Sequence, residues 1–516
     1  MGLKMDDKLL LSIDVGTGGV RVAAVTPDGK MLDSASASVD TYTPKPAHAE
    51  QNPQDWWDGL KTAIGKLLLS LPADAFAGIA VDGTSATVIP CDSSGNPLRP
   101  CLLWMDVRAA KQAEKLTSTG DPALKYAGMQ TVSAEWGVPK LMWLAENEPD
   151  IYKKAEVFVD CVDWMNFKLT GEWAMSICTA TCKYFYDSNW SGWPTSLYEE
   201  AGIPDALGKL PSNVLNMGEV VGELSRGAAQ ELGLPAGIPV TMGGIDAHVG
   251  AIGLGVVDEG SLALITGSSH VMLGQTDQAI YAKGIWGAYY DAIIPGLYTV
   301  EAGQISSGSV NNWFTNRFTV DAHRSSNVSA DLYKYLDAQA QQIPIGCDGV
   351  VALDHFQGNR SPFSNPYSRG AFTGLTLSHT EAHLYRAVLE SVCYGTKTIF
   401  DTFRDKGFDP VKVVVSGGPT KSRFWMQMHA DVTGVPMLFP KNTAGPLMGG
   451  AILASIGAGL HEDIGSAAKE MVEMADAIEP NSDATSEYQF YHQRYLEIYE
   501  ALAPVSSKIA HHISES

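Results

Sequence analysis

The chain has 516 residues, with 36 Lys+Arg against 58 Asp+Glu and a net charge of −22. That acidity argues against a general nucleic-acid binder, whose partner's phosphates would be repelled, but permits a nucleotide held by a local nest of N–H groups and a metal ion. Hydrophobic residues at 45% and charged residues at 18% exclude a disordered chain and supply cores for two large domains or for two to four smaller ones.

The segment Met1–Lys8 lacks an apolar signal core, and no run approaches the roughly 18 apolar residues of a membrane span. Residues 9–15 read as a buried strand ending at Gly16-Thr17-Gly18-Gly19, followed by a second strand at Val20 to Thr26 and an alternating third at Lys30 to Val39. Asn52-Pro53 caps a helix predicted to run to Leu71, with Trp56, Leu60, Ile64, Leu67 and Leu68 on one face. Strands are predicted at Gly78 to Asp82 and Thr87 to Cys91. Three meandering strands, a helix and a strand imply a mixed sheet, not the alternating pattern of a dinucleotide fold. Seven scattered cysteines make no disulfide framework, and a reduced, cytoplasmic compartment is expected. Cys178 and Cys182 are spaced for one helix face, but no second Cys/His pair stands near them for zinc.

An apolar strand at Ile238 to Met242 leads into Gly243-Gly244-Ile245-Asp246. Ser261 to Leu273 repeats the opening pattern, as strand, small polar turn at Thr266-Gly267-Ser268-Ser269, and strand. A long amphipathic helix is predicted over Thr380 to Arg404, a strand over Val411 to Val415, and helices over Lys421 to Thr433 and Leu447 to Ile456, the last rich in small residues. Residues beyond about 460 read as a helical tail. The repetition implies two related α/β halves joined near residue 250, sharing a cleft.

Four stretches carry candidate chemistry. In Asp14-Val15-Gly16-Thr17-Gly18-Gly19-Val20-Arg21, a glycine hairpin can present N–H groups to phosphates, while Asp14 can hold Mg²⁺ through water; the stretch could equally be an ordinary glycine turn. It is neither a Rossmann fingerprint nor a Walker loop. Asp246 can take a proton from a substrate hydroxyl or can simply cap a helix. Trp104, Asp106 and Arg108 alternate on one face of an extended segment after Asp82-Gly83-Thr84-Ser85, which suits a polyhydroxylated ligand or a surface ion pair. Lys183 and Glu301 are charges in largely uncharged surroundings. Ser416-Gly417-Gly418-Pro419 leaves bare backbone for a planar base, or serves close packing alone.

Together, Ile13 to Gly18, Leu103 to Arg108, Ile245 to His248 and Val415 to Gly418 resemble the FGGY carbohydrate kinases, over residues 9 to 460. The ribulokinase and D-ribulokinase branch is the most similar, through Gly244 to His248, Glu301 to Gln304, Gly358 to Pro362 and Gln427 to Gly434. Xylulokinase-like members carry Gly-Gln-Met-His-Gly where this chain has Asp82 to Ala86, and Asp-Gln where it has Asp246-Ala247.

The resemblance implies two ribonuclease-H-like, actin-like ATPase domains facing a central cleft: a sugar-binding domain over 1–255 and a nucleotide-binding domain over 256–516. It implies ATP-dependent phosphorylation of a ketopentose, ribulose foremost, at a terminal hydroxyl. Asp246 would be the general base and Asp14 the Mg²⁺ ligand. Gly16, Thr17, Gly18 and Gly19 with Thr266, Gly267 and Ser268 would grip phosphates. Gly417, Gly418 and Ser422 would flank adenine, although glycerol-kinase-like members often have asparagine where Ser422 stands. Ser85, Lys183 and Glu301 would contact the sugar, with Trp104, Asp106 and Arg108 bordering it. The expected partners are sugar and ATP, with no nucleic acid or membrane, and a homodimer is compatible. The alternatives are a kinase for xylulose, ribitol or glycerol, or an actin-like ATPase switch without sugar chemistry.

Overall fold

The computed structural model describes residues 8–129, 131–190, 192–319 and 329–515, so the expectation for the segment ahead of Lys8 falls outside the described residues. Two mixed sheets organise the chain. The first uses β1 (Leu9–Gly16), β2 (Gly19–Val25), β3 (Met31–Ser38), β4 (Phe76–Gly83), β5 (Val220–Glu223) and β6 (Pro239–Thr241), in the order β5-β6-β4-β1-β2-β3. β1, β4 and β6 run parallel, and the other neighbours run antiparallel. The strand expected at Thr87 to Cys91 forms only over Ile89–Cys91 and pairs with Val157–Val159, outside this sheet.

The second sheet uses β7 (Ser261–Thr266), β8 (His270–Thr276), β9 (Trp286–Tyr290), β10 (Tyr298–Gln304), β11 (Lys412–Gly417), β12 (Met437–Pro440) and β13 (Met474–Ile478), in the order β9-β10-β8-β7-β11-β12-β13. In both sheets the third, second, first, fourth and fifth strands of a common core lie side by side, β10-β8-β7-β11-β12 matching β3-β2-β1-β4-β6. This is the duplicated α/β architecture expected from the sequence. The tail is helical as expected over Ile464–Met471 and Ser482–Glu515, but between these helices it also contributes β13, an antiparallel edge strand. Its signal is weak because only its two ends, Met474 and Ile478, are turned inward.

The helices that position the cleft are α1 (Pro53–Leu67), α2 (Ile177–Tyr184), α3 (Asp246–Gly253), α4 (Glu381–Arg404), α5 (Arg423–Thr433) and α6 (Gly445–Gly457). Asn52 caps α1 by accepting the Gln54 N–H. On β1, Leu9, Leu11, Ile13 and Val15 join the core under α1, while Leu10 turns to the opposite core with Ala451 and Ala454 of α6. Ser12 and Asp14 share the face of Leu10, because side chains alternate along a strand. Burial on both faces explains why β1 reads as an unbroken apolar run.

The small residues of α6 let its backbone lie directly on that face. A Cβ on Gly450 would sit 2.2 Å from the Ser12 hydroxyl, and one on Gly457 would sit 1.9 Å from that of Thr241. Thus a helix from the C-terminal half covers the N-terminal sheet and crosses α3. The second sheet is covered by α4 and α5, with Leu262, Leu264, Val413 and Val415 facing Leu389, Val392 and Met426.

Candidate active site

The carboxyl ends of parallel strands are where ligands meet open α/β sheets. Here three acids converge at such an edge. Asp14 of β1 and Asp82 of β4 are direct register partners. The Gly83 N–H donates to the Gly244 carbonyl at 3.1 Å, and Gly83 bridges Ile245 in parallel, which brings in Asp246 at the first turn of α3. Asp14 and Asp82 are fully buried, whereas Asp246 is half-buried. Arg21, opposite Asp14 on β2, forms an ion pair with it. Arg21 engages only Oδ2 of Asp14, and both carboxylate oxygens of Asp82 lack a hydrogen-bond partner.

Burial is the main force on all three acids. It lifts Asp14 from the ordinary 3.8 to about 6, Arg21 opposing and Asp246 adding to the rise. It pushes Asp82 well above the usual range, reinforced by Asp14 and Asp246. Asp246 is also raised by burial, held back by the Ala247 N–H at 2.7 Å and by the charges of His248, Arg21 and Lys183.

Two cavities meet at Asp246. One, of about 460 Å³, is lined by Gly16, Thr17, Gly18, Gly19, Arg21 and Asp246. The other, of about 290 Å³, is lined by Ser85, Trp104, Glu135, Trp136, Lys183, Asp246, His248, Glu301 and Arg360, with Thr17 shared between the two. The Trp104 indole N–H donates to the Thr17 hydroxyl at 2.9 Å, so the wall of one cavity braces the loop of the other. The Ser85 hydroxyl donates to Asp160 at 3.1 Å. Lys183 lies 5.7 Å from the Trp136 ring centre. Burial works against its charge, but Glu301 on β10 and its other neighbours outweigh that and leave its pKa raised. Lys183 and Glu301 therefore attract each other across the gap between the two sheets.

Asp106 and Arg108 are not brought into this cavity. The chain turns after Cys101–Leu102, with the Asp106 N–H bonded to the Leu103 carbonyl at 2.9 Å, so alternate residues do not share a face. Asp106 instead accepts the Ala49 N–H at 2.6 Å and grips the Arg108 guanidinium, which also reaches Glu50 at 2.7 Å. This is the ion-pair reading, buried rather than at the surface.

A third cavity, of about 580 Å³, lies on the second sheet's side and is lined by Gly267, Ser268, Asn311, Tyr385, Gly418, Ser422 and Trp425. Thr266 and Gly417, register partners beside Gly267 and Gly418, are not among its lining residues, and the Thr266 hydroxyl is spent on the Ser416 carbonyl. Gly417 has φ +104°, and a Cβ there would sit 1.8 Å from the Thr266 carbonyl, so glycine is required. The Ser422 hydroxyl caps α5 through the Trp425 N–H and donates to Asp337 at 2.7 Å.

Several residues at the site carried no sequence signal of their own. Asp82 was visible only as part of a strand end. Glu135 and Trp136 sit in irregular segments brought in by the tertiary fold, and Arg360, legible only as part of the Gly358 to Pro362 resemblance, joins them. Lys140 is fully buried, and its ammonium donates to the carbonyls of Ala86 at 2.7 Å, Leu103 at 2.8 Å and Trp104 at 3.2 Å. Burial lowers its pKa to about 8. Lys140→Met leaves those carbonyls unpaired and is expected to cost about 3 kcal/mol of stability, read as a lowered denaturant midpoint.

Comparison with known proteins places this geometry. The FGGY carbohydrate kinase N-terminal domain matches residues 9–253, and the C-terminal domain of that family matches residues 262–458. The chain is 32% identical to an FGGY carbohydrate kinase domain-containing protein of Xenopus laevis, over 95% of this chain and 96% of that protein. It is 31% identical to a ribulokinase of Bacillus licheniformis, over 87% of each. Among solved structures, a xylulose kinase from Rhodospirillum rubrum superposes with a TM-score of 0.88 at 27% identity, covering 97% of this chain and all of that one. The described residues hold no helix long and apolar enough to cross a membrane. Matched over both halves by the family's two domains, the chain belongs to the FGGY family of carbohydrate kinases and is a sugar kinase.

Proposed function

We propose that the protein transfers the γ-phosphoryl group of ATP to a terminal hydroxyl of a ketopentose, ribulose foremost, with Asp246 as general base. The observation that carries this reading is that Asp246 lines both the glycine-loop cavity and the cavity walled by Trp104, Lys183 and Glu301. A hydroxyl held in the second cavity can give its proton to Asp246 while facing phosphates held at the first. Burial raises the basicity of Asp246, which suits it to accept a proton near neutral pH. ATP as cosubstrate follows from the family. The walls of the acceptor cavity include Glu301, Arg360 and the Asp246-Ala247 pair that make the sequence resemble ribulokinases.

In this reading Ser85, Trp104, Lys183 and Glu301 hold the acceptor, while Asp106 and Arg108 support the segment that carries Trp104. Gly16, Thr17, Gly18, Gly19, Gly267 and Ser268 bind phosphates, and Gly418 and Ser422 border the base, with Gly417 next in chain to Gly418. Residues 1–255 supply most of the acceptor side and 256–516 most of the nucleotide side, but Glu301 and Arg360 reach the acceptor cavity, Gly16 to Gly19 face the phosphates, and α6 supports the first sheet. Seven free, buried cysteines fit a reducing, cytoplasmic setting.

The buried carboxylates of Asp14, paired with Arg21, and of Asp82, whose oxygens have no hydrogen-bond partner, fit a hard divalent cation such as Mg²⁺, which takes oxygen ligands. Bound there, Mg²⁺ would neutralise phosphate charge. Protons compete for Asp14, so the Mg²⁺ concentration for half-maximal rate is expected to rise as pH falls through about 6; a flat dependence would count against the role. The folded value lies above the unfolded one. The metal-free protein therefore binds the extra proton between about pH 4 and 6, and through this group loses stability as pH rises across that window. Asp82→Asn replaces a buried carboxyl whose ionised form burial, Asp14 and Asp246 all disfavour. It is expected to raise the melting temperature of the metal-free protein while lowering turnover, and a fall in both would mark Asp82 as merely structural.

An ADP-release assay over D- and L-ribulose, D-xylulose, ribitol and glycerol tests the function. The largest kcat/KM is expected with a ribulose. A larger value with xylulose or a polyol overturns the substrate, and acceptor-independent turnover with filament formation supports the ATPase switch.

A further inference from the structure

Cys178 and Cys182 stand four residues apart on α2, on one face of the helix as their spacing requires. The partner that local sequence lacks arrives from 66 residues beyond Cys182. His248 of α3 places Nε2 at 3.5 Å from the Cys182 sulfur. One donor atom from each of the three residues lies within 4.8 Å of the other two. All three side chains are buried, and His248 Nδ1 has no hydrogen-bond partner, so nothing else in the site fixes the ring's tautomer.

These dimensions suit a metal. With Zn–S near 2.3 Å and Zn–N near 2.0–2.1 Å, the sulfur-to-nitrogen edge of a tetrahedron is about 3.6 Å. The donors are two sulfurs and an imidazole, a soft set that selects zinc over the hard magnesium suited to Asp14 and Asp82. We propose that Cys178, Cys182 and His248 form a three-ligand site for a soft divalent cation of the zinc class, opening through His248 onto the acceptor cavity.

The balance of the binding step is simple. The cation enters as M²⁺, both thiols lose their protons to solvent, and the two thiolates offset its charge. Three protein donors leave a fourth position, which falls to water or to a hydroxyl of the cavity's ligand. Glu301 across the cavity favours the cation, and the ammonium of Lys183, next in chain to Cys182, opposes it. Because His248 follows Asp246 by two residues on α3 and lines the same cavity, an occupied site shifts the acceptor's surroundings and acts as an inhibitory site. That consequence rests on the proposed kinase reading, whereas the binding itself does not.

The reduced, metal-free, full-length chain loaded with one equivalent of Zn²⁺ tests the site by X-ray absorption. Two sulfurs at about 2.3 Å and at least one imidazole nitrogen at about 2.0–2.1 Å are expected. A shell of nitrogen and oxygen alone overturns the proposal, whatever the variants do. Co²⁺ as a probe should give tetrahedral thiolate bands that saturate at one equivalent and disappear in Cys178→Ala and in Cys182→Ala. Bands that persist in both variants overturn the assignment. In turnover with ribulose, Zn²⁺ at one equivalent should raise the acceptor KM in the wild type and not in those variants. An unchanged KM in zinc-loaded wild type removes the inhibitory role.

Discussion

Asp246→Asn is expected to lower kcat by about 10²–10⁴-fold, the usual contribution of a positioned general base, while ATP still binds with wild-type affinity. The amide keeps the shape of the side chain and can still accept the Ala247 N–H, so α3 and its first turn persist. It cannot take a proton from the acceptor. In the proposed reading nucleotide affinity rests on the glycine loop and the third cavity, of which only the loop's cavity includes Asp246 in its lining. Parallel measurement of single-turnover phosphoryl transfer and of ATP binding by calorimetry separates the two effects. Near-normal transfer would show that another group carries the proton. Equal losses in binding and transfer would show that the substitution disturbs the cleft as a whole.

Gly449→Ala is expected to cost at least about 3 kcal/mol, a large fraction of the stability of a typical domain. A Cβ at Gly449 would sit 1.9 Å from the Val249 carbonyl oxygen, and one at Gly253 would sit 2.0 Å from the Gly445 carbonyl oxygen. These are backbone atoms in two crossing helices, so no side-chain rotation relieves the overlap. The helices must separate, and α3 carries Asp246 at its N-terminal end. Gly65→Ala is the matched control. It lies on the exposed side of α1, and a Cβ there meets nothing within 4 Å. That change should stabilise by about 0.5–1 kcal/mol, since alanine loses less backbone freedom in a helix. Urea midpoints of the two variants decide the matter, and equal shifts would remove the close-crossing argument.

The two substitutions act through opposite physical routes. In the proposed reading Asp246→Asn leaves the packing intact and removes one protonation event. Gly449→Ala leaves every polar group in place and removes the geometry that brings Asp246 to the gap. A protein that lost transfer through either would do so with different signatures, since only the second lowers resistance to urea.

Much of this architecture can be read locally. β1, β2 and β3 follow from residues that alternate or run apolar between glycine and proline turns, and α1 begins at Asn52 because an asparagine side chain can cap the helix. The repeat of strand, small polar turn and strand at Ser261 to Leu273 announces the second sheet, because the same local rules apply twice. The small residues of Leu447 to Ile456 signal close packing, although not against which sheet. β13 was legible only as tail, since a short edge strand with a polar middle has almost no periodicity to detect.

The site divides along the same line. By itself the amino-acid order determined the strand ends, the glycine turns and the isolated acids Asp14 and Asp246, all set by interactions within a few residues. Only the tertiary structure decided that Asp82 lies beside Asp14, that Lys183 faces Glu301, that Asp106 and Arg108 pair beneath the wall and not within it, and that His248 completes a triad with Cys178 and Cys182. The reason is physical: sheet register and helix crossing bring together groups tens to hundreds of residues apart, and the free energy that selects those contacts comes from burying whole faces, which no single segment encodes.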